Sequence, residues 1–390
     1  MTDFVYNIPT KIYFGTDQLK NLGTELKNHG KRVLMIYGGG SVKKIGLYDK
    51  VVSEIKNSGL EFFEMGGIEP NPKIDTIRKA VKICKENDIE VLLAVGGGST
   101  IDATKLIAAG AKVDFDPWDF VGKKAPVNDA LPIVTILTLA ATGSEMDPGA
   151  VISNPETKDK LSFGSPLTLP KASFLDPSVT YSVSKYQTAC GAADIFSHTV
   201  ETYFHMDNEY YMLDTVMEGL LKTVIKFAPT AMAEPDNYEA RANLMWASSW
   251  AINGFTNGRD SKRQWSCHPM EHELSAIYDI THGLGLAILT PRWMEYCLND
   301  ETVSKYVSYG VNVWGIDESK APMDIAKEAI EKTADFLFKT LELKSHLKDI
   351  GIDEENFEIM AKKACRPTGD IKGFVTLTPD DVVKIFKMCL

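Results

Sequence analysis

The chain has 390 residues, 44% hydrophobic and 24% charged, with a formal net charge of −11. This length predicts two domains of roughly 100–200 residues each and an ordinary globular core. The acidic balance without a Lys/Arg-rich stripe argues against nucleic acid as a partner, and no run of about 18 apolar residues offers a membrane span.

In chain order, FVYNIPTKIYFG opens with two short strand candidates around Pro9. RVLMIY (Arg32–Tyr37) is a buried strand followed by GGGS. LYDKVVSEIKNS is an amphipathic helix with Leu47, Val51, Val52 and Ile55 on one side. Leu60–Met65 reads as a strand, and Ile74–Asn87 as a helix after the turn Pro70-Asn71-Pro72. Glu90–Val95 is a strand, again followed by GGGS; Thr100–Gly110 is helical and Leu131–Leu137 is a further strand. Strands alternating with helices of this length indicate βαβ units and a parallel sheet. After Leu175-Asp176-Pro177 the apolar residues recur at helical spacing instead. Helices are predicted over Lys185–His205, Tyr210–Ala233, Tyr238–Phe255, Pro269–Tyr278, Leu284–Leu298, Met323–Leu341, Glu354–Lys363 and Pro379–Met388. The expected organisation is an α/β nucleotide domain with a parallel sheet over 1-178 and an all-α domain over 179-390.

The two glycine loops, Gly38-Gly39-Gly40-Ser41 and Gly96-Gly97-Gly98-Ser99, each follow a strand and open a helix. Open α/β sheets bind ligands at the C-terminal ends of their strands. Glycine lets the backbone approach a phosphate, and the following helix offers free N–H groups. Each loop alone also reads as a tight turn; two on neighbouring units favour a dinucleotide. Neither is a strict GxGxxG, and no GxxxxGK[ST] occurs, which argues against an NTPase. The stretch Leu137–Glu145 follows the next strand, and its hydroxyls suit hydrogen bonds to ribose or phosphate, or an ordinary loop with hydroxyl N-caps.

Of seven histidines, His198, His268, His272 and His282 lie close in sequence. Asp194 and His198 are four apart, as are His268 and His272, so each pair shares a helix face. Asp194, His198, His268 and His282 look like one metal site. Three imidazoles and a carboxylate suit Fe²⁺ or Zn²⁺. A carboxylate in the small, apolar surroundings of Asp194 needs a partner. His29, His205 and His346 are isolated and read as structural. His268-Pro-Met-Glu271-His272 also fits the HxxEH pattern of zinc metallohydrolases, with Glu271 as general base; that reading leaves the glycine loops, Asp194, His198 and His282 without a role. The six cysteines are scattered without a CxxC pair, as in a reduced, cytoplasmic protein, and the N-terminus lacks a signal-peptide layout.

GGGSTIDATK (Gly96–Lys105), TLAATGSEM (Thr138–Met146), the Asp194/His198 pair and HPMEHELSAIYDITHGLGLAI (His268–Ile288) together resemble the iron-containing (group III) alcohol dehydrogenase family, over essentially the whole chain. YGGGSVKK, EPNP, YEARANLMWASS and WSCHPMEHELSA resemble its NAD(P)H-dependent butanol dehydrogenases. The resemblance implies an N-terminal Rossmann-like dinucleotide domain, a C-terminal helical metal-binding domain and a cleft between them. It implies that Asp194, His198, His268 and His282 bind Fe²⁺ or Zn²⁺, with His272 outside the ligand set and assisting proton transfer. It places Gly97, Gly98, Ser99 and Asp102 at the pyrophosphate, Thr138, Thr142 and Lys160 toward the nicotinamide ribose, and Asn71 near the adenosine end. NAD-preferring members often carry Asp in the first glycine loop. This chain has Gly39, then Ser41, Lys43 and Lys44, so use of both cofactors is expected, leaning to NADP(H). The implied reaction is reduction of a short-to-medium-chain aldehyde such as butyraldehyde by a cytoplasmic homodimer, with a 1,2-diol or lactaldehyde reductase as the nearest alternative.

Overall fold

A computed structural model describes residues 5–206, 211–257 and 265–390. Two compact units emerge. One comprises Asn7–Val183 with Pro235–Asn253; the other comprises Ser184–Glu234 with Gly254–Leu390, together with the N-terminal Tyr6.

The first unit is built on six parallel strands: Lys11–Phe14 (β1), Arg32–Tyr37 (β2), Glu61–Met65 (β3), Val91–Gly96 (β4), Ile133–Leu137 (β5) and, after a hairpin of Gly149–Asn154 (β6) and Asp159–Gly164 (β7), Ala172–Leu175 (β8). Their order is β1-β8-β5-β4-β2-β3, with every neighbouring pair parallel. The predicted parallel sheet is therefore present.

The continuous apolar runs of β2 and β4 follow from burial on both faces, as parallel sheets require. Leu34, Ile36 and Leu92 pack with Ile74, Ile77 and Ile107 on one side. Val33, Met35, Val91 and Leu93 pack with Leu22, Val51 and Ile55 on the other. Between β2 and β4 the strand order reverses, so both glycine loops emerge at the topological switch point.

Three features of this unit depart from the sequence reading. Among the described residues of the opening segment only β1 forms; Phe4 lies outside them. The antiparallel hairpin β6/β7 was not expected. The helix Tyr238–Ile252, which the periodicity assigns to the helical half, packs in the sheet-bearing unit: Met245 joins Leu137 and Leu175, and the Ser249 hydroxyl bonds the Glu145 carboxylate.

The second unit is helical. It contains Lys185–Tyr203, Tyr211–Ala233, Cys267–Tyr278, His282–Cys297, Val303–Trp314, Pro322–Asp335, Phe357–Ala364 and Pro379–Met388, plus a small ribbon of Ile371–Lys372 (β9) and Thr376–Leu377 (β10). The predicted start at Tyr210 lies outside the described residues. The helix Val303–Trp314 is additional. Its buried Tyr306, Tyr309, Gly310 and Val313 follow helical spacing, although its Val-rich sequence, VSKYVSYGVNVW, suits a strand.

Candidate active site

In the sheet-bearing unit, Gly40 adopts φ +103° and precedes the short helix Ser41–Lys44, so the Gly38–Ser41 loop depends on a left-handed residue. The second loop needs glycine for space. A β-carbon on Gly98 would come within 2.9 Å of Thr142 Cβ, so Gly98 and Thr142 are in direct apposition. Gly97 caps the helix Gly98–Gly110, and Ser99, Thr138 and Thr142 are half-buried around it. Asn71 is buried with φ +51°, and Lys160 is buried on β7, opposite Ser153. Asp102 accepts from Ser144 Oγ at 2.5 Å and from the Val151 amide at 2.8 Å, so its carboxylate also joins the loop to the hairpin.

Beneath these loops lies Lys105, which the sequence reading passed over. It is fully buried and donates to Ser144 Oγ at 2.7 Å and to the Gly149 carbonyl at 2.6 Å. Burial pulls its ammonium below the ordinary value, against the opposing pull of Asp147, Asp102 and Glu145. Removing one member of a buried charge cluster strands the others. Lys105→Met is expected to lower stability by about 3 kcal/mol, read as a lower urea midpoint. An unchanged midpoint would show that the loops stand without it.

The helical unit brings Asp194, His198, His268 and His282 together. Every residue from Thr188 to Tyr203 in the first of its helices is buried, so its polar side chains must find partners within the protein. From Asp194 Oδ1, the Nε2 atoms of His282, His198 and His268 lie 3.6, 3.8 and 4.0 Å away. The Asp194, His268 and His282 donors lie mutually within 4.8 Å, and His198 stacks on His268 with ring centres 4.6 Å apart. His268 Nε2 has no hydrogen-bond partner among the described residues. These separations exceed hydrogen bonds but approach the roughly 3.4 Å edge of a tetrahedron with metal–ligand bonds near 2.1 Å. The donor set fits Fe²⁺ or Zn²⁺. Trp265 lies edge-on to His198 and His268, with ring centres at 5.5 and 4.8 Å.

Two glutamates hydrogen-bond members of the quartet. Glu201, three residues after His198, accepts His268 Nδ1 at 2.5 Å and the Ser266, Cys267 and His268 amides at 2.7, 2.6 and 3.3 Å. It thereby caps the helix that carries His268. Burial raises the Glu201 pKa, but His268 and these amides outweigh it and the net direction is down. Burial likewise lowers His268, and Glu201 outweighs it upward. Burial, then the neighbouring imidazoles, hold His198 well below the ordinary value, which favours the neutral, metal-binding form.

Glu271 is hydrogen-bonded to His282 Nδ1 and receives the Ser275 hydroxyl. Glu271, His272 and His282 also place donor atoms within 4.8 Å. Glu271 already pairs with His282 Nδ1, so an ion held by this group would have to displace that hydrogen bond. The half-buried His272 stands beside it, its ring 5.7 Å from His282 and 6.3 Å from His268. Sequence reasoning missed Glu201, although the argument applied to Asp194, a carboxylate in a buried helix needing a partner, applies to it equally.

The isolated histidines have local partners. His29 contacts Glu25 at 3.2 Å, His205 contacts Asp214 at 3.0 Å, and His346 contacts Ser345 at 2.8 Å.

Comparison with known proteins agrees with both halves of the chain. Residues 9–177 match the family model for iron-containing alcohol dehydrogenase, and residues 188–390 match the model for the C-terminal part of the same family. The chain is 54% identical to an NADH-dependent butanol dehydrogenase B of Clostridium acetobutylicum, over 99% of each chain. It is 41% identical to an NADPH-dependent aldehyde reductase of Escherichia coli, over 93% of each. A crystal structure of an NADH-dependent butanol dehydrogenase A from Thermotoga maritima superposes with a TM-score of 0.94 at 38% identity, covering 100% of this chain and 99% of that one. The chain belongs to the iron-containing alcohol dehydrogenase family.

Proposed function

We propose that this protein interconverts short-to-medium-chain aldehydes, butyraldehyde among them, and their alcohols, using NADH or NADPH. The observation that carries this reading is the convergence of Asp194, His198, His268 and His282 in a chain 54% identical to a butanol dehydrogenase. Those four residues would hold Fe²⁺ or Zn²⁺. A bound divalent ion supplies Lewis-acid polarisation of the substrate oxygen, and the nicotinamide supplies or accepts hydride.

The protein's own residues do the rest. Glu201 keeps Nδ1 of His268 protonated, so that Nε2 is the donor. Trp265 walls the quartet on the side of His198 and His268. The loops at Gly38–Ser41 and Gly97–Ser99, with Asn71, Asp102, Thr138, Thr142 and Lys160, would hold the dinucleotide. His272 would carry the alcohol proton, as an imidazole can near neutral pH. The reading includes a cytoplasmic homodimer; the six cysteines, all free and buried, agree with a reducing compartment.

The test is anaerobic. Protein stripped of metal is given butyraldehyde with NADH or NADPH, with and without Fe²⁺ or Zn²⁺, and followed at the cofactor's absorbance. Metal-dependent oxidation of the cofactor is expected; none with either ion, in folded protein that binds it, would refute the substrate assignment. His272→Ala is expected to keep stoichiometric metal while the rate falls on the order of 10²-fold. Loss of the metal would instead place His272 among the ligands.

A further inference from the structure

Glu271 has no part in the hydride-transfer reading, yet several positions converge on its carboxylate. It is fully buried on the helix Cys267–Tyr278, three residues after His268. Ser275, one turn on, donates its hydroxyl to Oε1, and His282, at the start of the next helix, meets Oε2 through Nδ1. A β-carbon at Gly285 would lie 2.7 Å from Glu271 Cγ and 3.1 Å from Oε1. Gly285 therefore leaves open the space that this carboxylate fills. Burying a carboxylate is costly unless its partners compensate, and an apolar side chain would pack the helix more cheaply.

We propose, resting on the metal reading above, that Glu271 is a positioning residue for His282. A carboxylate can only accept, so the hydrogen bond puts the proton on Nδ1 and leaves the Nε2 lone pair for the ion. The same bond fixes the ring plane, with Nε2 3.6 Å from Asp194 Oδ1. The adjacent negative charge makes the imidazole a stronger donor. It also commits Glu271 to a ring nitrogen instead of a water molecule, so the HxxEH spacing here serves to orient a ligand and not to hydrolyse a substrate.

The test is the Zn²⁺ affinity of the metal-stripped, full-length protein, measured by competition with a chromogenic chelator. Glu271→Ala is expected to weaken binding about 10–100-fold. Glu271→Gln should recover part of the loss, because its carbonyl oxygen still accepts from Nδ1. Gly285→Ala should weaken binding in the parent protein by displacing the carboxylate, and should add nothing in the Glu271→Ala background, where the space is vacant. Zn²⁺ binding by the parent with equal affinity in Glu271→Ala would overturn the role of Glu271 alone. Should that variant fail to fold, parental affinity in both Glu271→Gln and Gly285→Ala would overturn it. A parent protein that binds no Zn²⁺ would instead refute the metal reading on which the proposal rests.

Discussion

His268→Ala is expected to leave the protein without its metal and nearly without turnover. His268 lies at the centre of the quartet's contacts. Its Nε2 faces Asp194 at 4.0 Å, its ring stacks on His198, and its Nδ1 holds Glu201 at 2.5 Å. Alanine removes one donor and simultaneously leaves the Glu201 carboxylate facing the vacated space. The loss of affinity should exceed the 10–100-fold typical of an outer partner, so dialysed protein should hold only a small fraction of stoichiometric metal by elemental analysis. Lewis-acid polarisation contributes several kcal/mol, and losing about 4 kcal/mol corresponds to a rate decrease on the order of 10³-fold. Retained metal with a normal rate would remove His268 from the site.

Glu201→Gln is expected to damage either metal binding or the start of the helix Cys267–Tyr278, although Glu201 lies outside the ligand set. The carboxylate serves two masters: the His268 ring and three backbone amides at the start of the helix Cys267–Tyr278. Glutamine has a single accepting oxygen, so either the amides or the ring must lose a partner. If the ring loses it, metal affinity should fall about 10–100-fold. If the amides lose it, the helix start is destabilised by about 1–3 kcal/mol, and amide exchange at Cys267 and His268 should accelerate. Chelator competition and hydrogen exchange together distinguish the two. No change in either would mean that Glu201 is a bystander. The Ser197 hydroxyl, 3.1 Å from Glu201 Oε1, is a further partner that the amide group of glutamine would meet differently.

Much of the fold was legible because it is encoded locally. The uninterrupted apolar runs of β2 and β4, and the spacing of Ile74, Ile77, Val81 and Cys84, announce buried strands and amphipathic helices whatever surrounds them. The β6/β7 hairpin was not read, because GAVISN and DKLSFG lack the clean alternation of a half-buried strand. The helix Val303–Trp314 was not read because its β-branched residues point to strand; burial of Tyr306, Tyr309 and Val313 overrides that preference.

The quartet was legible in part for the same reason. An i,i+4 pair shares a helix face wherever the helix goes, so Asp194/His198 carries its own geometry. The supports were not legible in this way. Glu201 is 67 residues from the His268 ring it holds, and Glu271 reaches His282 on a different helix. The buried helix marks Glu201 as a carboxylate in need of a partner without naming that partner, and local spacing does not separate Glu271 from a hydrolase base.

Sequence alone therefore determined the alternation of strands and helices, the glycine loops at strand ends, the helical second half and the shared helix face of Asp194 and His198, because each is written in spacing over a few residues. Tertiary structure alone decided that His282 joins Asp194, that Glu271 pairs with the His282 ring, that Lys105 lies buried beneath the loops and that the helix Tyr238–Ile252 packs with the sheet. These outcomes depend on which distant surfaces meet once apolar burial has chosen the packing, and on buried charges then taking the partners within reach.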